Sequence, residues 1–352
     1  MFYSGRLLGP YADQFFSKDF AAVLDKIGIF DQTTYDGIGK TWHWDNTELR
    51  YANTATVRDQ SVIYGVYANN NPTLQDPWNS TPAWGFPFSG SALAPKPDAG
   101  TLIEGSLAQQ VVGVGAYAMV ADMFYFDVGA YHTPGPGLQS SLGIDPTGET
   151  QIGGLAPYWR FAVDRMVGEG YWEIGTFGMA AATYPGRDQT AGKDRITDYG
   201  LDSQYQVSHG PDDITAMVSC VFERQNWGAS YALGNTSNLT DNLTSFKATL
   251  DYLHDKTIGG AVQYFLIDGS SDAAIFGGSQ TGSPTSDGVI LQLDYLPFNK
   301  NGGPPSWPRS NVKFSLQYVI YSRFNGARSN YDGAGSNAQG NNTLYAEAWI
   351  VF

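Results

Sequence analysis

The stretch NVKFSLQYVIYSRF, residues 311–324, alternates apolar and polar side chains over most of its length. Val312, Phe314 and Leu316 fall on one face, and Lys313 falls on the other, because successive side chains of a strand point to opposite sides. Period-2 alternation predicts a β-strand with one apolar and one polar face. Such a run is much longer than the usual five or six residues of a strand in a soluble sandwich.

The same alternation recurs along the chain and predicts about fifteen strands in one all-β domain, residues 1–352. They span residues 1–9, 26–36, 43–55, 59–69, 108–120, 122–132, 152–166, 169–184, 195–208, 212–230, 241–254, 257–268, 286–297, 310–324 and 341–352. No linker or break in composition suggests a second domain.

The connections between these strands alternate between short turns and long loops. Residues 168–170 and 209–212 are short connections, whereas residues 70–107 and 269–285 are long ones. This pattern is typical of a transmembrane antiparallel up-and-down β-barrel with a porin-like architecture. Because bacterial barrels have even strand counts, we expect one further strand upstream, about sixteen in the complete protein. The start, MFYSGRLLG, also lacks a signal peptide, so we expect an N-terminally truncated chain.

Composition narrows the classes of function. The chain has 42 Gly and 22 Tyr among 352 residues, only 15% charged residues and a net charge of −14. That charge argues against nucleic acid as a partner. It is consistent either with simple solubility or with an interior that favours cations. No apolar run is long enough for a transmembrane helix.

Candidate functional residues follow from the polar face of the predicted strands. Charged side chains there would line the pore, where they pair across strands and set ion preference. These pore-lining candidates are Glu48, Arg50, Asp127, Arg160, Asp164, Glu173, Asp198, Asp202, Lys313, Arg323 and Glu347. The terminal Phe352, on an alternating aromatic strand, is typical of an assembly signal for outer-membrane barrels.

The longest connection, residues 70–107, is rich in proline and tryptophan, which makes it stiff and bulky. We expect it to fold into the lumen as a constriction formed by Asp76, Trp78 and Trp84. The alternative is an external lid over the outer mouth.

No motif in the chain supports catalysis or metal binding. The four histidines lack the spacing of metal ligands, and there is no HExxH, paired CxxC or CxxCH motif. The only cysteine, Cys220, is predicted to face outward in the middle of a strand. We therefore predict no catalytic residue, no metal site, and no cofactor held by this chain.

Several segments resemble a family of bacterial outer-membrane cytochrome–porin fusions, similar to the iron-oxidising fused cytochrome–porins. They are DNTELRYAN (45–53), NNNPT (69–73), DPWNSTPAWGFP (76–87), APYWR (156–160) and FNGARSNYDG (324–333). Members of the family carry an N-terminal segment with one CxxCH c-type haem site, followed by a barrel. The resemblance implies electron transfer across the outer membrane, with the haem in a segment missing from this chain. No haem ligand carries over to any residue here.

The sequence therefore predicts an outer-membrane, porin-like conduit, the barrel part of a haem-bearing electron-transfer protein. One alternative is a general diffusion or cation-preferring porin without a redox role, and another is a secreted soluble all-β binding protein. The expected partners are outer-membrane lipid, the barrel-assembly machinery and periplasmic cytochromes, and not nucleic acid. Both a monomer and a trimer are compatible with the sequence.

Overall fold

The structure is a computed structural model that describes residues 26–36, 41–74, 76–81, 87–91, 93–141, 150–298, 303–306 and 311–351. Fifteen strands lie in this part of the chain. They are β1 (Ile27–Asp36), β2 (Thr41–Val57), β3 (Gln60–Asn69), β4 (Val112–Val120), β5 (Phe124–His132), β6 (Gln151–Ile152), β7 (Ala156–Val167), β8 (Gly170–Tyr184), β9 (Asp194–His209), β10 (Asp212–Asn226), β11 (Thr240–His254), β12 (Ile258–Gly269), β13 (Ser286–Tyr295), β14 (Asn311–Arg323) and β15 (Thr343–Val351).

All fifteen strands belong to one antiparallel sheet with up-and-down topology. Each strand pairs with the next in the sequence, except that β5 pairs directly with β7 and the two-residue β6 pairs with β8. The all-β, antiparallel, up-and-down arrangement predicted from the alternation is confirmed. The predicted strand at 1–9 and the terminal Phe352 lie outside the described residues.

The predicted bounds of the strands differ from the observed ones where a turn or a short helix intervenes. Strand β4 begins at Val112 and not at residue 108, because residues 107–110 form a turn in which the Gln110 N–H donates to the Leu107 carbonyl at 3.0 Å. A helical turn at Leu102–Ser106 comes before it. Strand β10 ends at Asn226, because helix α2 (Gly228–Leu233) follows; helix α1 spans Pro136–Ser141. Short helical turns also occur at Pro185–Arg187 and Ala338–Asn341. No helix in the described ranges is long and apolar enough to cross a membrane.

One face of the sheet exposes large apolar side chains. The strand register places them side by side across the sheet, so they form a continuous row from β8 to β15. We call this row the apolar belt, and it consists of Trp172, Tyr205, Ala216, Leu250, Val262, Leu291, Tyr318 and Leu344. Within the belt, Leu291 is 44% exposed and Leu344, at its end, is 68% exposed.

The opposite face carries polar and charged side chains, and many of them are buried. Asp127, Arg160 and Glu173 are each 2% exposed, and Asp198 is fully buried. The polarity is therefore the reverse of that of a soluble protein, in which charged side chains are rarely fully buried.

Glycines on the polar face make room for large side chains from neighbouring strands. The ring of Tyr67, on β3, lies over Gly115 and Gly129, where a Cβ atom would collide with it. From there the Tyr67 hydroxyl donates to Asp127 Oδ1 at 2.8 Å. The alternating strands thus hold an ordered layer of aromatic and carboxyl groups.

The connection between β3 and β4 packs on this polar face. Its apolar residues Leu102, Ile103 and Leu107 join Tyr158 and Phe177 in the main buried cluster of the molecule. The core therefore lies between the sheet and one of its own loops.

Candidate functional site

The first contact of the 70–107 connection with the sheet is centred on Arg160, on β7. The guanidinium lies 3.6 Å from Asp76 in the connection, 3.1 Å from Glu173 on β8 and 2.5 Å from Asp202 on β9. All four side chains are almost completely buried. Three carboxyl groups thus surround a single buried cation, which ties the connection to three strands.

The same segment of the connection is ordered by a local turn. Asp76 accepts hydrogen bonds from the backbone N–H groups of Trp78 and Ser80, at 3.0 and 2.7 Å. The Trp78 ring packs edge-on against Tyr125, with ring centroids 5.2 Å apart, and the Arg160 guanidinium lies over it at 4.9 Å. The Ser80 hydroxyl donates to Asp202.

A second contact lies on β9 and β10. Asp198 and Glu223 face each other across these strands. Asp198 accepts a hydrogen bond from the backbone N–H of Ile103 at 2.8 Å, and Glu223 accepts one from the backbone N–H of Leu102 at 2.5 Å. The orphan N–H groups at the start of the helical turn at Leu102–Ser106 are thereby satisfied.

An ion pair to β11 completes this second contact. Lys247 donates to Glu104 at 2.5 Å. Burial would raise the pKa of Glu104, but the Lys247 ammonium, with hydroxyl donors from Ser245 and Thr101, holds the pKa of that carboxyl below its usual value. Glu104 is therefore a carboxylate at neutral pH.

The third contact reaches the far strands of the sheet. Gln292 on β13 donates to the Pro87 carbonyl at 2.7 Å, and Gln317 on β14 donates to the Ser89 carbonyl at 2.9 Å. The Ser89 hydroxyl donates to Glu347 on β15 at 2.5 Å. The connection therefore crosses the polar face from β3 to β15 and returns to β4.

A cavity of about 450 Å³ remains between the connection and strands β11 to β15. Residues 88–91, 94–97 and 99 of the connection form one wall, and Glu104 and Lys247 also line the cavity. The sheet contributes Gln263, Phe265, Ile290, Gln317, Val319, Tyr321, Thr343 and Tyr345, among others. This open space contrasts with the β5–β10 side, where the connection packs directly on the charged groups.

The structure places the sequence-predicted pore residues on the polar face, in three environments. Glu48, Asp127, Arg160, Glu173, Asp198 and Asp202 are buried, whereas Arg50, Asp164, Lys313 and Glu347 are partly buried. Arg323 is ion-paired with Asp287 near the end of β14. None of the eleven borders the cavity.

Of the predicted constriction residues, Asp76 and Trp78 pack against the sheet, and Trp84 lies outside the described residues.

The sequence analysis did not predict the residues that line the cavity, although the alternation pattern already placed some of them on the polar face. Alternation already assigns Lys247, Gln317 and Tyr321 to the polar face. Nothing in the sequence indicates that Glu104 of the connection would meet Lys247, because the two lie on separate elements and their contact depends on the path of the loop.

The chain offers no attachment site for haem, since it contains no CxxCH motif. Cys220 lies on the outward side of β10, and its side chain is only partly buried. Within the described residues, no group of three or more His, Cys, Asp or Glu side chains is placed to hold a metal ion.

Comparison with known proteins gives structural similarity only. No family model and no curated protein matches the sequence. Among solved structures, the chain is similar to the outer-membrane-expressed OmpT of Vibrio cholerae, with a TM-score of 0.42, 11% identity and coverage of 92% of this chain and 95% of that one. The chain is also similar to the in-vitro folded OmpT of Vibrio cholerae, with a TM-score of 0.38, 11% identity and coverage of 92% of each chain. These comparisons do not support membership of the cytochrome–porin fusion family.

Proposed function

We propose that the chain is a β-barrel of the bacterial outer membrane that forms a porin-like passage for small solutes. The observation that carries this proposal is the reversed polarity of the two faces. An exposed apolar belt backs a face on which charged side chains are buried.

The outer face favours a lipid environment. Leu250, Val262 and Leu291 are between 39% and 48% exposed and adjoin one another across three strands. In water, such a large contiguous apolar surface would promote association. In a bilayer it is the surface that an outer-membrane barrel presents to lipid.

The proposed closure of the sheet rests on the path of the 70–107 connection. It contacts β7 through Asp76 and β15 through Ser89, although these strands lie far apart in the sheet. A sheet curled around the connection brings both contacts within reach of one short chain segment. Closure would also remove the unpaired edges of the first and last strands, which bilayers do not tolerate.

The proposed passage runs beside the connection. Its acidic side is closed, because Arg160 pairs with Glu173 and Asp202 and the Ile103 N–H donates to Asp198. The 450 Å³ cavity next to β11–β15 leaves space for a solute. We place the route there.

The electron-transfer role implied by the resemblance stays a prediction. It requires a haem segment that this sequence does not contain, and no contact of the described residues favours it over a solute passage. The soluble binding-protein alternative conflicts with the proposal and is tested by the same experiment.

The test is reconstitution of the full chain. We expect the purified protein to require detergent, to migrate differently on a gel before and after heating, and to give discrete conductance steps in a planar bilayer. The same preparation, heat-unfolded, is the control and should give no steps. A chain that stays monodisperse in water without detergent, or folded protein that gives no conductance, would contradict the proposal.

A further inference from the structure

We propose that the cavity beside β11–β15 binds a small organic monoanion with an apolar body, such as an aromatic monocarboxylate. This inference rests on the proposed function, because it names the class of solute that would occupy the passage. The observation that carries it is an open cavity with an apolar lining and two lysines among its lining residues, on a face that elsewhere carries many carboxylates.

The size and lining of the cavity are those of a ligand pocket. Its volume of about 450 Å³ lies in the range of roughly 300–1,000 Å³ typical of small-molecule sites, which are mostly apolar with a few polar groups. Pro95 and Pro97 of the connection line it together with Phe265 and Val319 of the sheet.

Part of the apolar lining comes from neighbouring positions on β12, β13 and β14. Ile290 and Val319 are register partners on β13 and β14, and Phe265 lies close by on β12. The next inward positions on the same two strands are Gln292 and Gln317. A purely aqueous channel does not require this apolar patch, whereas a solute with a hydrocarbon or aromatic body would bury it favourably.

The charged groups of the lining favour an anion. The described residues around the cavity carry two ammonium groups, Lys96 and Lys247, and one carboxylate, Glu104. Glu104 is ion-paired with Lys247, whose side chain remains 28% exposed. Lys96 is exposed and has no ion pair within the described part of the chain. One positive charge is thus left uncompensated at the cavity.

The groups just beyond the cavity favour a single negative charge over two. Glu347 lies two residues past Tyr345 on β15, and Asp294 lies four residues past Ile290 on β13. Asp294 is partly compensated by Lys313, 3.5 Å away. A second negative charge on the solute would extend towards these carboxylates and be repelled, so we expect monoanions to bind better than dianions.

The test measures binding by the full chain in detergent, with titration calorimetry and benzoate as the probe. Benzamide, a neutral molecule of nearly the same shape, is the matched ligand, and the ligand-into-detergent titration is subtracted. We expect saturable binding of benzoate and much weaker binding of benzamide. Equal binding of the two would overturn the inference, because the lysines would then have no effect.

Two variants assign the site. Lys96→Gln should weaken benzoate binding roughly two- to fivefold, as expected for an exposed charge pair. Val319→Thr, which keeps the shape and adds a hydroxyl, should also weaken it. Lys256→Gln is the matched control, because it removes the same charge from the turn between β11 and β12. An unchanged affinity in Lys96→Gln, or an equal loss in Lys256→Gln, would overturn the assignment.

The inference and the proposed function can fail separately. Wild-type protein that conducts in a bilayer but does not bind benzoate in detergent would overturn the inference alone. Protein that binds benzoate with the expected variant pattern but never conducts would overturn the passage and leave the binding site standing.

Discussion

At the scale of a single residue, Asp272 shows how one carboxylate can order two loops. It lies in the loop between β12 and β13, only 1% exposed. Its oxygens accept hydrogen bonds from the Thr236 hydroxyl and from the backbone N–H groups of Ser237, Asn238 and Ala274, at 2.6 to 3.0 Å. Burial alone would raise the pKa of Asp272, but these donors outweigh it and lower the pKa to about 2.

This low pKa predicts an acid-sensitive contact between the two loops. Because the folded pKa of about 2 lies below the ordinary 3.8, the stabilisation is complete above about pH 4 and is lost as the pH falls towards 2. In wild-type protein, hydrogen-exchange protection of the Ser237 and Asn238 amides should fall over that range. In Asp272→Asn, protection should be lower already at pH 5, by roughly 1.5–3 kcal/mol in opening free energy, and nearly independent of pH. Asp188→Asn, in another loop, should leave both amides unchanged.

At the scale of an element, the connection 70–107 behaves as a structural part of the molecule rather than as a surface loop. Its prolines and aromatic residues indicate stiffness, and this can be seen from the composition of the segment alone. Its docking depends on Arg160, Lys247 and the Asp198–Glu223 pair, which lie on four strands remote in sequence. Only the assembled sheet brings those groups together.

Arg160→Gln should release the first part of this connection. It would leave Asp76, Glu173 and Asp202 buried without a cation, and breaking such a buried pair typically costs about 3–5 kcal/mol. We expect faster chymotryptic cleavage next to Trp78 and a larger or noisier bilayer conductance. A retained heat-dependent gel shift would show that the variant is still folded.

Arg195→Gln is the matched control for this variant. It removes the same charge from an exposed position on β9, and it should behave as wild type. If Arg160→Gln is cleaved no faster than Arg195→Gln, the role of Arg160 in holding the connection is wrong.

At the scale of the whole molecule, the reversed polarity of the sheet is the basis for the proposed membrane environment. The apolar belt runs across eight strands without interruption by a charged side chain. In water, the belt would promote aggregation. In lipid, the same apolar side chains would stabilise the protein.

Leu291→Arg tests which solvent faces the belt. In a bilayer, an arginine near the midplane should destabilise the protein by roughly 2–4 kcal/mol, measured as a loss of folding free energy in lipid vesicles. Leu239→Arg, on an exposed loop side chain, should cost little. Similar small effects of both substitutions would indicate that the outer face meets water and would contradict the membrane proposal.

Alternation predicted the strands well, because it depends only on the period-2 geometry of a strand and on which side meets apolar surroundings. Residues 170–184 and 311–323 form strands within one residue of the expected bounds. The errors lie where hydrogen bonds within a turn or a short helix replace those of the sheet, as in the turn before β4 and at helix α2 after β10. Strand bounds and side-chain faces are local properties, and local sequence can encode them.

By itself, the sequence determined an all-β, up-and-down sheet with an apolar face and a charged face, and a stiff connection of unusual composition. The tertiary structure alone decided which charges are covered and which space stays open. It seals the acidic groups of β7–β10 beneath the connection and leaves the cavity beside Lys247 and Tyr345. The physical reason is that the course of the connection is set by hydrogen bonds and ion pairs between residues more than a hundred positions apart, and no local pattern records such contacts.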